Sequence, residues 1–426
     1  MIRRIALVLI VLLLAAAAWI WLTNFWGGMR ITEGAPTTPP AAEQVARGAY
    51  LARLGNCMLC HTERGGAPFA GGRPVETPFG AVYASNITPD AQTGIGTWSA
   101  AHFRRALHEG RSRNGRLLYP VFPYTHTTRV TAADSDALFD YLRSLPPVAT
   151  PNREHRLRWP YNTQAALAAW RTLYFRPEGF VADAARTPEW NRGAYLVSGL
   201  GHCGACHGAR NALGGIRQAM DLSGGLIPMQ NWYAPSLAAP AEAGVQDWSV
   251  EEIAQLFARG TSPRGTVIGP MAEVVLHSTQ HMEPGDLRAM AVYLKSLPRV
   301  AADSDPREVP RPSSTVLERG GKIYGEHCAS CHGERGEGIP DAYPRLAGNR
   351  AVTMPATANL VQVVLHGGYP PSTRGNPRPF GMPPFATFLS DADVGAVITY
   401  MRASWGNRAA PVSEFDVAQQ RSSSRQ

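Results

Sequence analysis

Three times along 426 residues the chain reads Cys-x-x-Cys-His: Cys57, Cys60 and His61; Cys203, Cys206 and His207; Cys328, Cys331 and His332. These motifs use all six cysteines. A disulfide framework suits an exported chain, and two Cys-x-x-Cys pairs can hold tetrahedral zinc. Neither explains a histidine directly after the second cysteine in every copy. Cys-x-x-Cys-His is the attachment pattern of c-type haem: two thiols add across the vinyl groups, and the short loop holds the histidine beneath the iron. Three covalently bound haems c (iron) are expected, with His61, His207 and His332 as proximal metal ligands.

The repeat is wider than the motif. "EQVARGAYLARLGNCMLCH" from Glu43 matches "PEWNRGAYLVSGLGHCGACH" from Pro188, and "VLERGGKIYGEHCASCH" from Val316 is a looser third copy. Each copy places Arg-Gly nine to eleven residues before the first cysteine. Each unit closes on a stretch with apolar positions three and four apart, the pattern of an amphipathic helix: Asp136–Val148, Asp286–Val300 and Asp393–Trp405. Trp-Ser precedes a further helix in the first two units, with Ser99 and Ser249 as N-caps. Between units one and two, Pro151–Trp190 holds a helical patch at Thr163–Tyr174 whose aromatics are expected to cover a seam or dock a partner. A polar, proline-rich spacer separates units two and three, and the polar C-terminal tail is expected to be disordered.

Composition narrows the function classes. Gly and Pro number 42 and 35, 77 together, which suits loop-rich domains. The formal charge is +8, but Lys and Arg are scattered, without the clustering of a nucleic-acid surface. Arg3 and Arg4 precede 22 uncharged residues, Ile5–Trp26, enough to cross about 30 Å of hydrocarbon as a helix. Ala15–Ala18 offers a possible signal-cleavage site, but the run continues through Trp19, Trp21 and Trp26, an interfacial belt. A retained anchor is favoured, with the arginines on the cytoplasmic side; either reading exports the remainder.

A sixth iron ligand must come from downstream, and His with Met is a common pair. Met382, fifty-one residues after Cys331, stands in a Pro-stiffened loop before the closing helix; Met354 suits a core role better. Met271 follows a Gly-Pro pair 65 residues after Cys206, with Met282 as a surface or packing residue. The first unit has no methionine in that place. Phe122 occupies the comparable Pro-flanked position, and His126, 66 residues after Cys60, is the favoured ligand. The alternatives are an open or water-bound iron, or another histidine, His102 or His108, although a solvated helix surface suits those two better.

With "NRGAYLVSGLGHCGACHGARN", "STQHMEPGDLRAMAVYLKSLP" and "GMPPFA" added to the three motifs, the exported part resembles the triple-haem cytochrome c subunit of membrane-bound bacterial dehydrogenases. That resemblance implies an all-α fold, three tandem cytochrome c-like domains after an N-terminal transmembrane helix. Its expected divisions are an anchor or signal segment at 1–28, domains at 36–150, 186–300 and 313–407, linkers at 151–185 and 301–312, and a tail at 408–426. It implies an electron-transfer subunit, not the catalytic one, that takes electrons from a periplasm-facing dehydrogenase and passes them to ubiquinone in the bacterial inner membrane. A small iron–sulfur protein is a further implied partner; nucleic acid is not. The six cysteines match the family's haem-attachment positions, the three motif histidines its proximal ligands, and Met271 and Met382 its distal ones. Alcohol dehydrogenase subunits carry Met-Pro-Tyr where this chain has Phe122-Pro123-Tyr124 followed by His126. That form looks more like subunits paired with molybdenum hydroxylases acting on aldehydes or N-heterocycles, and the resemblance favours a molybdenum-type aldehyde dehydrogenase as the partner. Quinohaemoprotein alcohol dehydrogenases and flavin-dependent sugar or gluconate dehydrogenases are alternative partners. A multihaem enzyme with an open first haem is an alternative from another class.

Overall fold

The computed structural model describes residues 1–25, 31–216, 221–300 and 309–423. Trp26, the stretch 301–308 of the second linker and the last three residues lie outside them. The fold is mostly helical with a few short strands, and it divides into two compact units. One comprises Met1–Val181, Ser198–Ala205 and Arg210–Ala219; the other comprises Ala182–Val197, Cys206–Ala209 and Met220–Gln426.

In the first unit, helix α1 (Ile2–Phe25) is apolar and exposed along nearly its whole length. Its 24 residues extend about 36 Å, sufficient to span a bilayer. Then follow α2 (Ala42–Leu54), α3 (Cys57–Cys60), the hairpin β1 (Pro74–Thr77) and β2 (Gly80–Tyr83), α4 (Ala100–Glu109), α5 (Tyr124–Thr127) and α6 (Ala132–Ser144). The hairpin pairs Pro74 with Tyr83, and β3 (Arg156–Leu157) joins its other edge at Gly80. Residues 151–181 belong to this unit and supply β3 and α7 (Gln164–Tyr174). Leu167 and Ala168 of α7 pack with Leu117, against Ile20 of α1 and Tyr119. Tyr161 stacks on Phe79 with ring centroids 4.4 Å apart, whereas Trp159 stays 80% exposed.

The chain passes between units through α8 (Pro188–Ser198) and α9 (Gly204–His207). The second unit continues with the hairpin β4 (Gly225–Ile227) and β5 (Trp232–Ala234), α10 (Val250–Arg259), the hairpin β6 (Thr261–Ser262) and β7 (Gly265–Thr266), α11 (Pro270–His277) and α12 (Pro284–Lys295). It ends with α13 (Ser314–His327), α14 (Ala329–His332), α15 (Arg350–Thr353), α16 (Ala358–His366), α17 (Asp391–Ala403) and α18 (Glu414–Ser423). Residues around the second and third motifs share this unit because polar side chains stitch them together. Asn359 exchanges hydrogen bonds with the Tyr233 backbone, donating to its carbonyl at 2.7 Å and accepting from its amide at 2.8 Å. Arg350 donates to the carbonyls of Pro240 at 2.8 Å and Gly244 at 2.5 Å, with its guanidinium 5.2 Å from the Trp248 ring.

One helix crossing occurs three times. A β-carbon built on Gly48, Gly193 or Gly320 would lie 1.9, 2.0 or 2.2 Å from the carbonyl oxygen of Ala137, Ala289 or Ala396. The arginine before each glycine pairs with the aspartate three residues before that alanine: Arg47–Asp134 at 2.6 Å, Arg192–Asp286 at 2.7 Å and Arg319–Asp393 at 2.7 Å. The repeated Arg-Gly therefore fixes where the opening helix of each copy crosses its closing helix. Only glycine permits so close an approach, and the ion pair sets the register.

The expected disordered tail is corrected over its described part. Ser413 and Asp416 form a capping box: the Asp416 amide donates to Ser413 Oγ at 3.2 Å, and the Ser413 amide donates to the Asp416 carboxylate at 2.9 Å. Val412 and Val417 enter the core around Val361, Leu365, Val397 and Ile398. Arg421 pairs with Asp391 at 2.5 Å. Two buried valines and one clamped arginine hold a helix that its average polarity conceals.

Candidate haem centres

Each Cys-x-x-Cys-His forms one helical turn after a longer helix. In the first, the His61 amide donates to the Cys57 carbonyl at 3.0 Å; in the third, the His332 amide donates to the Cys328 carbonyl, also at 3.0 Å. This four-residue closure stacks the histidine one turn beyond the first thiol, so both sulfurs and the imidazole sit together on a short, stiff loop. In the first two copies the residue before the first cysteine, Asn56 (φ 51°) or His202 (φ 35°), takes left-handed backbone and turns the chain sharply out of the preceding helix. Among the described residues none of the six cysteines forms a disulfide. Burial, with the neighbouring Cys60, pushes the Cys57 thiol up to about 12, and burial beside Cys331 pushes Cys328 up to about 11. In the bare polypeptide these two groups are neutral S–H at neutral pH.

The histidines repeat one further contact. Nδ1 meets the Ser85 carbonyl at 2.7 Å in His61, the Pro235 carbonyl at 2.7 Å in His207 and the Pro344 carbonyl at 2.9 Å in His332. A carbonyl can only accept, so Nδ1 carries the proton and donates, and the Nε2 lone pair is left for a metal. Burial holds all three imidazoles below their ordinary value, which keeps them neutral as ligation requires. Neutral thiols, fixed tautomers and the one-turn loops fit covalent haem with iron on Nε2. The accepting carbonyls escaped the sequence reading. Their signal is a tyrosine one or two residues upstream, in "YAS" (Tyr83), "YAP" (Tyr233) and "YP" (Tyr343).

The downstream candidates lie as follows. Met382 is half-buried against the core that Cys328 and Ala329 also touch. Its backbone exchanges hydrogen bonds with Gly368 at 2.8 and 3.0 Å. A β-carbon on the preceding Gly367 would come within 2.2 Å of the Met382 carbonyl oxygen, so the loop is held by tight backbone packing. Met354 is buried in that domain's interior. Met271 is half-buried near the start of α11, behind Gly269 and Pro270. Trp232 on β5 packs so closely on Gly269 that a β-carbon there would lie 2.7 Å from its ring. The same strand leads to Pro235, so one short element braces both the His207 and the Met271 sides. Met282 is buried, a packing residue.

In the first copy His126 lies in α5 and is 1% exposed, with Nδ1 3.1 Å from Thr125 Oγ1. Phe122 is half-buried beside it in the chain. The reading of His102 as a solvated surface residue is corrected: it is 6% exposed, and its Nδ1 lies 2.8 Å from Ser99 Oγ within the capping box of α4. Histidine takes there the reciprocal role that Glu252 takes beside Ser249. His108 is half-buried rather than solvated, and burial holds its imidazole below the ordinary value.

Residues 317–405 match the cytochrome c family model. The chain is 36% identical over 407 residues to the cytochrome c subunit of the quinone alcohol dehydrogenase of Gluconobacter oxydans, covering 92% of this chain and 85% of that one. It is 37% identical over 391 residues to the gluconate 2-dehydrogenase cytochrome c subunit of Pantoea cypripedii, covering 88% of each. It is 39% identical over 379 residues to a nicotinate dehydrogenase chain of Pseudomonas putida, covering 87% of this chain but 31% of that longer one. With a cytochrome c domain, its covalent haem c, and similarity across nearly its whole length, the chain belongs to the family of electron-transfer cytochrome c subunits of membrane-bound alcohol, gluconate and fructose dehydrogenases.

Proposed function

We propose that the chain holds three haems c in three tandem cytochrome c domains and relays electrons from a catalytic dehydrogenase subunit to ubiquinone. The observation that carries this reading is the threefold repetition of one constellation: thiol pair, histidine with a carbonyl-bound Nδ1, and an opening helix locked to its closing helix by Arg-Gly. When bound, haem c supplies one-electron transfer through its iron.

The chain's own residues supply attachment, ligation and shielding. Cys57 and Cys60, Cys203 and Cys206, and Cys328 and Cys331 would hold the three groups. His61 and His126, His207 and Met271, and His332 and Met382 would supply the iron's protein donors, two to each group. An iron held from two sides by the protein would suit a relay, because no position would remain for substrate. Helix α1 anchors the first domain in the inner membrane, and Arg3 and Arg4 orient the remainder to the periplasm.

For the catalytic partner, a molybdenum-type hydroxylase acting on an aldehyde or N-heterocycle is supported by Phe122-Pro123-Tyr124-Thr125-His126 and by the relative named for nicotinate dehydrogenase. A quinone alcohol or gluconate dehydrogenase is favoured by another observation: those relatives match over 85% and 88% of their own length. A small iron–sulfur protein accompanies the first reading. Gentle detergent extraction, with identification of the catalytic chain that co-purifies and of its cofactor, decides between them. Intact mass of this chain tests the relay: three added haem groups support it, and fewer end it.

A further inference from the structure

The end of α1 is pinned to the first domain by one buried amide. Asn24 donates from Nδ2 to the Ala168 carbonyl at 3.2 Å and to Thr172 Oγ1 at 2.9 Å, and accepts at Oδ1 from Arg171 Nε at 3.2 Å. Its backbone carbonyl accepts from Arg111 Nη2 at 2.5 Å. An asparagine in the last turn of α1 that is so fully engaged by α7 does more than terminate a membrane segment.

Arg171 is 5% exposed. Its guanidinium lies 5.1 Å from the centroid of Tyr124 and 4.7 Å from that of Phe175, and those rings meet edge to face at 4.8 Å. A buried cation held by an amide and two aromatic faces keeps its field, where a carboxylate partner would cancel it. Tyr124 is fully buried and equally constrained from α4: Gly110 has φ 59°, and a β-carbon there would come within 2.5 Å of the ring. Tyr124 opens α5, and His126 follows two residues later. Contacts run from Asn24 to Arg171 to Tyr124, and His126 lies in the same turn as Tyr124.

We infer that Arg171 is a positioning residue for the first haem site, clamped by Asn24 at the membrane helix's end, where it fixes the Tyr124–His126 turn and sets a positive field beside it. This deepens the relay reading and rests on His126 as an axial ligand. A nearby positive charge favours the reduced, less positive iron, so removing it lowers one midpoint potential and not the other two. The membrane anchor is then a component of the redox site rather than a tether.

The test is a spectroelectrochemical titration of the full-length, detergent-solubilised protein. Arg171→Gln lowers one of three midpoints and leaves the others in place. Arg171→Lys, which retains charge, recovers most of that shift, and Asn24→Ala moves the same midpoint in the same direction by less. Where Arg171→Gln does not accumulate, Asn24→Ala carries the test. Wild-type midpoints in the variants that fold, or equal displacement of all three, overturn the inference. Intact mass below three haems, or a His126→Ala protein with unaltered low-spin spectra, instead overturns the reading beneath it.

Discussion

Gly320 faces Ala396 so closely that a β-carbon would lie 2.2 Å from the Ala396 carbonyl oxygen and 2.8 Å from Tyr400 Cβ. Gly48 meets Ala137 and Tyr141, and Gly193 meets Ala289 and Tyr293, at nearly the same separations. The obstructing atoms are backbone, which cannot rotate aside. Replacing any one of these glycines by alanine forces two helices apart and costs about 3 kcal/mol or more, at or above the upper end of ordinary overpacking. Haem stoichiometry by intact mass and thermal melting by circular dichroism check this: Gly320→Ala should melt well below wild type, whereas Gly285→Ala, with open space around it, should not.

Asp393 makes this crossing pH-dependent. Hydrogen bonds from Ser390, with Arg319 beside it, hold its carboxyl below the usual value of 3.8. A carboxylate with a depressed folded value contributes stability that is present above the unfolded value and is lost as pH falls through the folded one. Asp393→Asn should therefore lose about 1 kcal/mol at neutral pH, the ordinary worth of a helix cap with a partly exposed ion pair. That deficit should shrink as pH drops below about 3.8. Denaturant titrations of both proteins at pH 7 and below pH 3.5 measure it; a deficit unchanged at the lower pH removes the electrostatic explanation.

The tail offers a test by volume. Val417 is 0% exposed in the core that α17 and α16 build. Val417→Ala should cost about 2 kcal/mol, for two buried methyl equivalents and the space they leave. Phe415→Ala, at an exposed position on the same helix, should be near neutral. Equal effects would mean that α18 is not docked in solution.

These cases show which signals a sequence carries openly. Covalent chemistry is local, so three Cys-x-x-Cys-His motifs announce themselves by spacing, and Arg-Gly repeats beside them because the helix crossing demands it. What stayed hidden depends on partners far along the chain. The Ser85, Pro235 and Pro344 carbonyls act through backbone, which any residue supplies. Asn24 reads as one more uncharged residue of the apolar run until Arg171, 147 positions later, meets it. His102 looks like a polar-face residue because a histidine seldom takes the third position of a capping box. The tail misled for the opposite reason: average polarity outweighed the Ser413–Asp416 cap, which was legible.

The axial assignments make the sharpest claim about function. Met382 stands in the loop before α17 and His126 in the short α5 before α6, and one offers a thioether where the other offers an imidazole. A thioether favours reduced iron relative to a second imidazole, so the first haem should have the lowest potential of the three. Exchanging the donors tests this in both directions. His126→Met should raise one midpoint, and Met382→His should lower another, each without loss of haem. Met382→Ala should open one iron, so that carbon monoxide binds about one third of the reduced haem, a fraction set by one vacancy among three sites. If the untreated wild-type protein already binds carbon monoxide at that level, His126 is not a ligand, and an open first haem, with catalysis of its own, becomes the better reading.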